Sequence, residues 1–325
     1  MREFLTDFDT IFNNAVFYYA VLVMGSYVIF TLLSAIEMNS YMKKNSYVNY
    51  REILVSPLAP SVSILAPAYN EEASIIENIR SLLSLHYGNY EVIIINDGSK
   101  DNSMEILIKT YDLVLTDLVV HSKIETKKIK GLYRSRNAAF KKLIVVDKEN
   151  GGKADALNAG INLAANEILA CIDVDCIDVD CILDKDALLK LAKPFLESYG
   201  KRIIATGGVV RIANQCVIKN GRMVEVNVPD RLLSRIQVLE YLRAFLLGRM
   251  AWGRLDGLLL ISGAFGAFDK EIAIKSGGYD HNTVGEDMEL VVRMRRYMYE
   301  QDKRFKVVYI PDPLCWTEAP ADLQI

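Results

Sequence analysis

The chain has 325 residues, enough for one large domain or two small ones, and its 51% hydrophobic content fits a globular protein with added apolar material. A formal net charge of −3 gives no electrostatic footprint for nucleic acid. There are five cysteines, three of them (Cys171, Cys176, Cys181) spaced by five with no histidine nearby; this excludes a zinc framework and favours reduced, buried thiols in a reducing compartment.

The chain is uncharged from Thr10 to Ile36. About 20 helical residues cross the ~30 Å hydrocarbon core, so this run is read as a membrane anchor. A cleaved signal peptide fits poorly, because Glu3, Asp7 and Asp9 precede the run and no small-residue cleavage site follows. Lys43, Lys44 and Arg51 follow the span and only Arg2 precedes it, which predicts that everything after about residue 40 is cytoplasmic. Residues 45–60 read as a polar, proline-punctuated linker.

From Ser61 onward, strands and helices alternate. The predicted strands are Ser61–Ala66, Glu91–Ile95, Leu143–Val146, Glu167–Ile172 and Ile203–Ile212. The predicted helices are Glu72–Leu85, one starting at an Asn102/Glu105 capping box, Ala154–Ala165, Asp184–Glu197 and Met288–Tyr299. Asp112–Lys142 shows little periodicity and reads as an insertion. Leu232–Met250 is amphipathic and suits either a membrane surface or a core-packed helix. This pattern predicts an α/β domain on a mainly parallel sheet, with ligands beyond the carboxyl ends of its strands. Tyr69, Asp97 and Asp173 all fall at those ends.

Several chemical signals are weak one by one. Asp173-Val-Asp175 offers hard oxygen ligands for Mg²⁺ or Mn²⁺, but an acidic turn is the plain alternative. Gly151-Gly152-Lys153 offers close backbone approach and a point charge for phosphate, although Ala154 excludes a P-loop. Asp97-Gly98 is also a common turn, and Glu286-Asp287 also suits a helix start.

Taken together, Pro67-Ala-Tyr-Asn-Glu71, Asn96-Asp-Gly-Ser99, Gly152-Lys-Ala-Asp-Ala-Leu-Asn158, Asp173-Val-Asp175, Ser262-Gly-Ala-Phe-Gly-Ala-Phe268 and Gly285-Glu-Asp287 occur in the order of family 2 glycosyltransferases. The chain resembles the membrane-bound members that make cellulose, chitin, hyaluronan and poly-N-acetylglucosamine. That resemblance implies a GT-A domain over residues 61–325, behind an anchor at 1–44 with its span at about 14–36. It implies an inverting transfer from a nucleotide-diphosphate sugar, usually UDP-linked, to a hydroxyl of a glycan or other acceptor, with Mg²⁺ or Mn²⁺ as cofactor. By position, Tyr69 and Glu71 would border the base, Asp97 would contact the uridine and Lys153 the diphosphate. Asp173 would lie near the ribose, Asp175 would hold the metal and Asp287 would be the general base. Gly263, Ala264, Phe265 and Glu286 would line the acceptor site.

Two departures stand out. The acid pair is repeated as Asp178-Val-Asp180. Using the second pair would extend the strand through Asp173 and Asp175 and bury two carboxylates, which is costly, so the first pair is preferred and Asp178/Asp180 is the alternative. The chain also stops at Ile325, without the Gln-x-x-Arg-Trp motif and further spans of processive members, which leads to the expectation of a truncated chain. A catalytically impaired nucleotide-sugar-binding homologue is the competing reading.

Overall fold

The computed structural model describes residues 2–46, 50, 56, 59–116, 122–172, 182–197, 200–219, 222–261, 265–283 and 285–317. Helix α1 (Arg2–Asn45) is long and apolar enough over Asp9–Asn45 to cross a membrane, and its apolar stretch is not buried by the rest of the chain. Such a helix, apolar on all sides and uncovered, is unfavourable in water.

The domain behind it is built on one sheet. Strands β1 (Val62–Ala68), β2 (Tyr90–Asn96), β5 (Leu143–Lys148) and β6 (Ile168–Ile172) pair in parallel in the order β5-β2-β1-β6. These are the expected apolar runs, buried on both faces as a covered parallel sheet requires. The flanks are mixed: their pairs are antiparallel except for one. On one side β4 (Ile129–Ser135) and β3 (Leu113–Leu115) extend the sheet beyond β5, so the segment read as an insertion is part of it. On the other side β11 (Phe265–Asp269) runs antiparallel between β6 and β8 (Arg202–Ile212), followed by β12 (Phe305–Thr317), which runs parallel to β8, and by β7 (Ile182–Leu183). A short separate ribbon pairs β9 (Val217–Lys219) with β10 (Arg222–Glu225).

Side chains alternate across the sheet, and each face carries a core. Ile64, Val92 and Ala170 pack on one face against α2 (Ile75–Leu83), α3 (Ser103–Tyr111) and α5 (Ala187–Leu196). Leu65, Ile93 and Leu169 pack on the other against α4 (Lys153–Leu163), α8 (Lys270–Lys275) and α9 (Glu286–Glu300). The capping box expected at Asn102 is not formed: its side-chain amide instead donates to Glu72 at 3.1 Å, and Asp101 receives the Ser103 N–H at 3.1 Å.

The amphipathic segment forms one continuous helical rod, α6 (Leu232–Tyr241), a π-helical stretch (Leu242–Gly248) and α7 (Arg249–Arg254). It packs against the second half of α1. Ser34 Oγ donates to the Leu246 carbonyl at 2.9 Å, the Phe30 and Trp252 rings lie 5.4 Å apart, and Arg254 pairs with Glu37 at 3.3 Å. Leu232, Ile236, Leu239 and Leu255 of this region nevertheless remain exposed.

Candidate active site

Sheet register decides what converges. Ala68 pairs with Asn96 and Asn96 with Asp147, so Tyr69, Asp97 and Lys148 leave the sheet side by side at its carboxyl edge. There Tyr69 and Asp97 border a cavity of about 500 Å³ that is also lined by Pro67, Glu71, Gly152 and Lys153.

The floor is an ion-paired knot that the sequence reading missed. The Lys148 side chain is fully buried, and its Nζ lies 2.5 Å from Asp97 Oδ1, 2.6 Å from Asp155 Oδ1 and 2.6 Å from the Glu149 carbonyl. Three ammonium protons thus meet three acceptors. Asp97 in turn accepts from the Gly151 N–H at 3.0 Å and the Gly152 N–H at 2.8 Å. The glycine amides that looked ready for a phosphate therefore cradle an internal carboxylate, and Asp97 is itself only 3% exposed. The glycines are required by this close approach. A Cβ on Gly151 would meet Asp155 Oδ1 at 2.5 Å, and Gly98, at φ +68°, would drive one to 2.7 Å from the Asn150 nitrogen.

One wall is stitched from two loops. The Asn70 N–H donates to Ser99 Oγ at 2.9 Å, and the Lys100 N–H donates to Asn70 Oδ1 at 2.8 Å. Glu71 is braced by the Ser74 hydroxyl at 2.6 Å, whereas Tyr69 stands 44% exposed, open to a flat ligand.

The rim is looser. Lys153, the first residue of α4, reaches across to the first turn of α9, with Nζ 3.2 Å from Glu286 Oε1 and 4.0 Å from Asp287 Oδ2. Burial works against ionising Glu286, but backbone N–H groups at the start of α9 and the Lys153 ammonium outweigh it, so its pKa is lowered. Asn158, one turn further along α4, fixes the approach to α9: its amide donates to the Tyr279 carbonyl at 2.8 Å, and its oxygen accepts from the Tyr279 N–H at 2.7 Å. Motif residues from distant segments thus meet as Tyr69, Glu71, Asp97 and Lys153 around the cavity, with Glu286 and Asp287 touching Lys153.

Phe265 is buried in the core on β11 and lines no part of this cavity. Asp173, Asp175, Asp178, Asp180, Gly263 and Ala264 lie outside the described residues. Strand β6 runs to Ile172, the residue before the first of these aspartates, at the sheet edge that carries Tyr69 and Asp97. Lys148 might have been read from the run Asp147-Lys148-Glu149 at a strand end, but nothing in that run separates a solvated turn from a buried bridge.

The sequence model of Glycosyl transferase family 2 matches residues 63–251. The poly-beta-1,6-N-acetyl-D-glucosamine synthase of Staphylococcus epidermidis (strain RP62A) is 29% identical over 263 residues, covering 80% of this chain and 50% of that protein. The enzyme of the same name from Staphylococcus aureus (strain COL) is 27% identical over 267 residues, covering 81% of this chain and 51% of that protein. The chain thus spans about half the length of the curated relatives it matches. Among solved structures, the mannosyltransferase PcManGT from Pyrobaculum calidifontis, in complex with GDP-Man and Mn²⁺, overlays with a TM-score of 0.53 at 18% identity, covering 90% of this chain and 69% of that one. The two share the GT-A-like mixed α/β fold.

Proposed function

The chain belongs to glycosyl transferase family 2, and we propose that it is a membrane-anchored, inverting enzyme that moves a sugar from a nucleotide-diphosphate sugar, UDP-linked, to a hydroxyl of a glycan. The observation that carries this reading is the junction at Lys153, where a cation lining the cavity lies 4.0 Å from the Asp287 carboxylate. Donor and base are thereby within one side chain of each other.

In this reading the base stacks near Tyr69 and Glu71, over a floor held by Asp97, and the diphosphate takes the Lys153 ammonium. Asp287 removes the proton of the acceptor hydroxyl. The hydroxyl oxygen bonds to the anomeric carbon while the bond from that carbon to the diphosphate oxygen breaks, and the electron pair leaves with the nucleotide. A Mg²⁺ or Mn²⁺ held by Asp175, with Asp173 near the ribose, or by the alternative pair Asp178 and Asp180, would neutralise charge on the leaving diphosphate. Gly263, Ala264 and Glu286 are proposed on the acceptor side. The domain plan is an anchor over residues 1–44, a linker to 60 and the catalytic domain over 61–325. The catalytic domain is assigned to the cytoplasmic face on the strength of Lys43 and Lys44 after the span.

The names of the relatives make UDP-N-acetylglucosamine the first donor to try. Membranes holding the chain should transfer or hydrolyse it with Mn²⁺ or Mg²⁺. Asp287→Asn should reduce turnover by about 10²–10⁴-fold while sparing donor binding. Near-normal turnover in that variant would sink the base assignment. Donor binding without turnover in the parent chain would favour the impaired-homologue reading instead.

A further inference from the structure

A second cavity, of about 460 Å³, lies at the foot of α1, far from the donor residues. Its lining combines five lysines (Lys44, Lys190, Lys193, Lys201, Lys306) with two glutamates, Glu37 and Glu197, while Asp312 and Asp256 pair with Lys190 and Lys201 from beside it. That local excess sits in a chain whose net charge is −3. The same lining carries apolar surface from Val308, Pro194 and the rings of Tyr41 and Tyr50. The cavity is therefore amphiphilic, with cations beside hydrocarbon.

Its depth follows from α1. The uncharged run ends at Ile36, and roughly 40 Å of helix precedes that point, more than the ~30 Å hydrocarbon core needs. The cavity begins at Glu37, the first residue beyond the run, so its near end falls in the interfacial layer of about 5–7 Å per leaflet that holds lipid phosphates, and it continues to Asn45. Lys193 is built into the wall, 6% exposed and paired with Glu197 at 3.2 Å. Among the described residues, Lys44 and Lys306 make no ion pair, which leaves two ammonium groups for a ligand.

We infer that this cavity binds the phosphate-bearing headgroup of an anionic glycerophospholipid. Basic clusters just beyond a membrane span attract such lipids, by roughly fivefold per lysine. The apolar wall gives a reason for the lipid over a free phosphate.

The test uses the full chain in mild detergent and native mass spectrometry with added phosphatidylglycerol or phosphatidylcholine. Phosphatidylglycerol should be retained at least tenfold over phosphatidylcholine. The double variant Lys44→Glu/Lys306→Glu should lose about tenfold or more of that retention. Lys44→Ala/Lys306→Ala, which introduces no new charge, should show a smaller loss in the same direction. Lys109→Glu/Lys141→Glu, outside the cavity, should leave retention unchanged. Equal retention of the two lipids, an unaffected cavity variant or an equal loss in the outside variant would each overturn the site. Complete displacement by millimolar glycerol 3-phosphate would assign it to a soluble phosphate instead and overturn the lipid. Alkaline carbonate extraction separates this inference from the anchoring it rests on. A chain washed off the membrane loses both, whereas one that stays but does not discriminate between lipids loses only the site.

Discussion

The floor and the rim of the donor cavity use the same chemistry, lysine against two carboxylates, in opposite environments. On the floor, Lys148 is fully buried and its contacts to Asp97 and Asp155 are 2.5 and 2.6 Å. On the rim, Lys153 keeps a third of its side-chain surface, and its contacts to Glu286 and Asp287 stretch to 3.2 and 4.0 Å. A closed, dry bridge has no donor left for a ligand and holds the backbone around it. An open one can exchange its partner for a diphosphate at little cost. Proximity to the cavity is thus a poor guide to which lysine can meet a ligand; solvent access is a better one.

The harshest way to break this contrast is Lys148→Met. Removing the cation leaves Asp97 and Asp155 buried beside each other without compensation, and breaking a buried pair in this way typically costs about 3–5 kcal/mol. The urea midpoint of the purified chain should fall accordingly. Adding Asp97→Asn to this variant should recover part of the loss, because one of the uncompensated charges is then gone. A Lys148→Met chain as stable as its parent would mean that the floor is wetter than its burial implies.

Lys153→Gln is the milder counterpart. It removes a half-exposed pair, so stability should change by no more than about 1 kcal/mol. If Lys153 holds the diphosphate as proposed, donor affinity should nevertheless fall by about tenfold or more, since the diphosphate loses its point charge. Glu286 reports the same change through pH. Its folded pKa is lowered, partly by Lys153, so its contribution is present above the ordinary carboxylate range and is lost as pH falls through the folded value. In Lys153→Gln that acid-side loss should shrink. Stability losses of several kcal/mol, with donor affinity intact, would make Lys153 another structural lysine.

The contrast also shows what the sequence could and could not reveal. The strand runs were legible because a parallel strand covered on both faces needs unbroken apolar residues, as in Val92-Ile-Ile-Ile95. The convergence of Tyr69, Asp97 and Lys153 was legible because ligands gather at the carboxyl edge of such a sheet. The partner of Asp97 was not. Nothing local tells Lys148 to turn inward rather than out, and the outcome depends on β5 ending in register with β2 and on α4 bringing Asp155 back over it. The role of the glycine amides was hidden for the same reason, since the carboxylate they bond comes from a segment about fifty residues earlier in the chain. The strands β3 and β4 escaped because they carry mixed, partly exposed residues at the sheet edge. The capping box at Asn102 lost to Glu72, a tertiary competitor that no local pattern contains.

A surface cluster tests whether burial, rather than the number of ion pairs, separates floor from rim. Arg202 makes bonds of 2.7 and 2.9 Å to Asp269 and 2.6 Å to Glu271, and Lys275 closes on the other side of Glu271. By count this network is richer than the Lys148 knot. Hydrogen bonds from Lys275 and Arg202 lower the Glu271 pKa from 4.5 to about 2. Yet half of the Glu271 side chain is exposed, and exposed pairs contribute about 0–1 kcal/mol after solvent screening. Glu271→Gln should therefore cost at most about 1 kcal/mol at neutral pH. A depressed carboxylate stabilises above its unfolded pKa, so the parent-minus-variant difference should hold down to about pH 4.5 and vanish near pH 2. Urea midpoints of the two proteins across that range, repeated at high salt, provide the measurement. A difference as large as that of Lys148→Met would mean that ion-pair number governs this fold after all; a small, salt-sensitive one leaves burial as the property that makes the floor a scaffold and the rim a site.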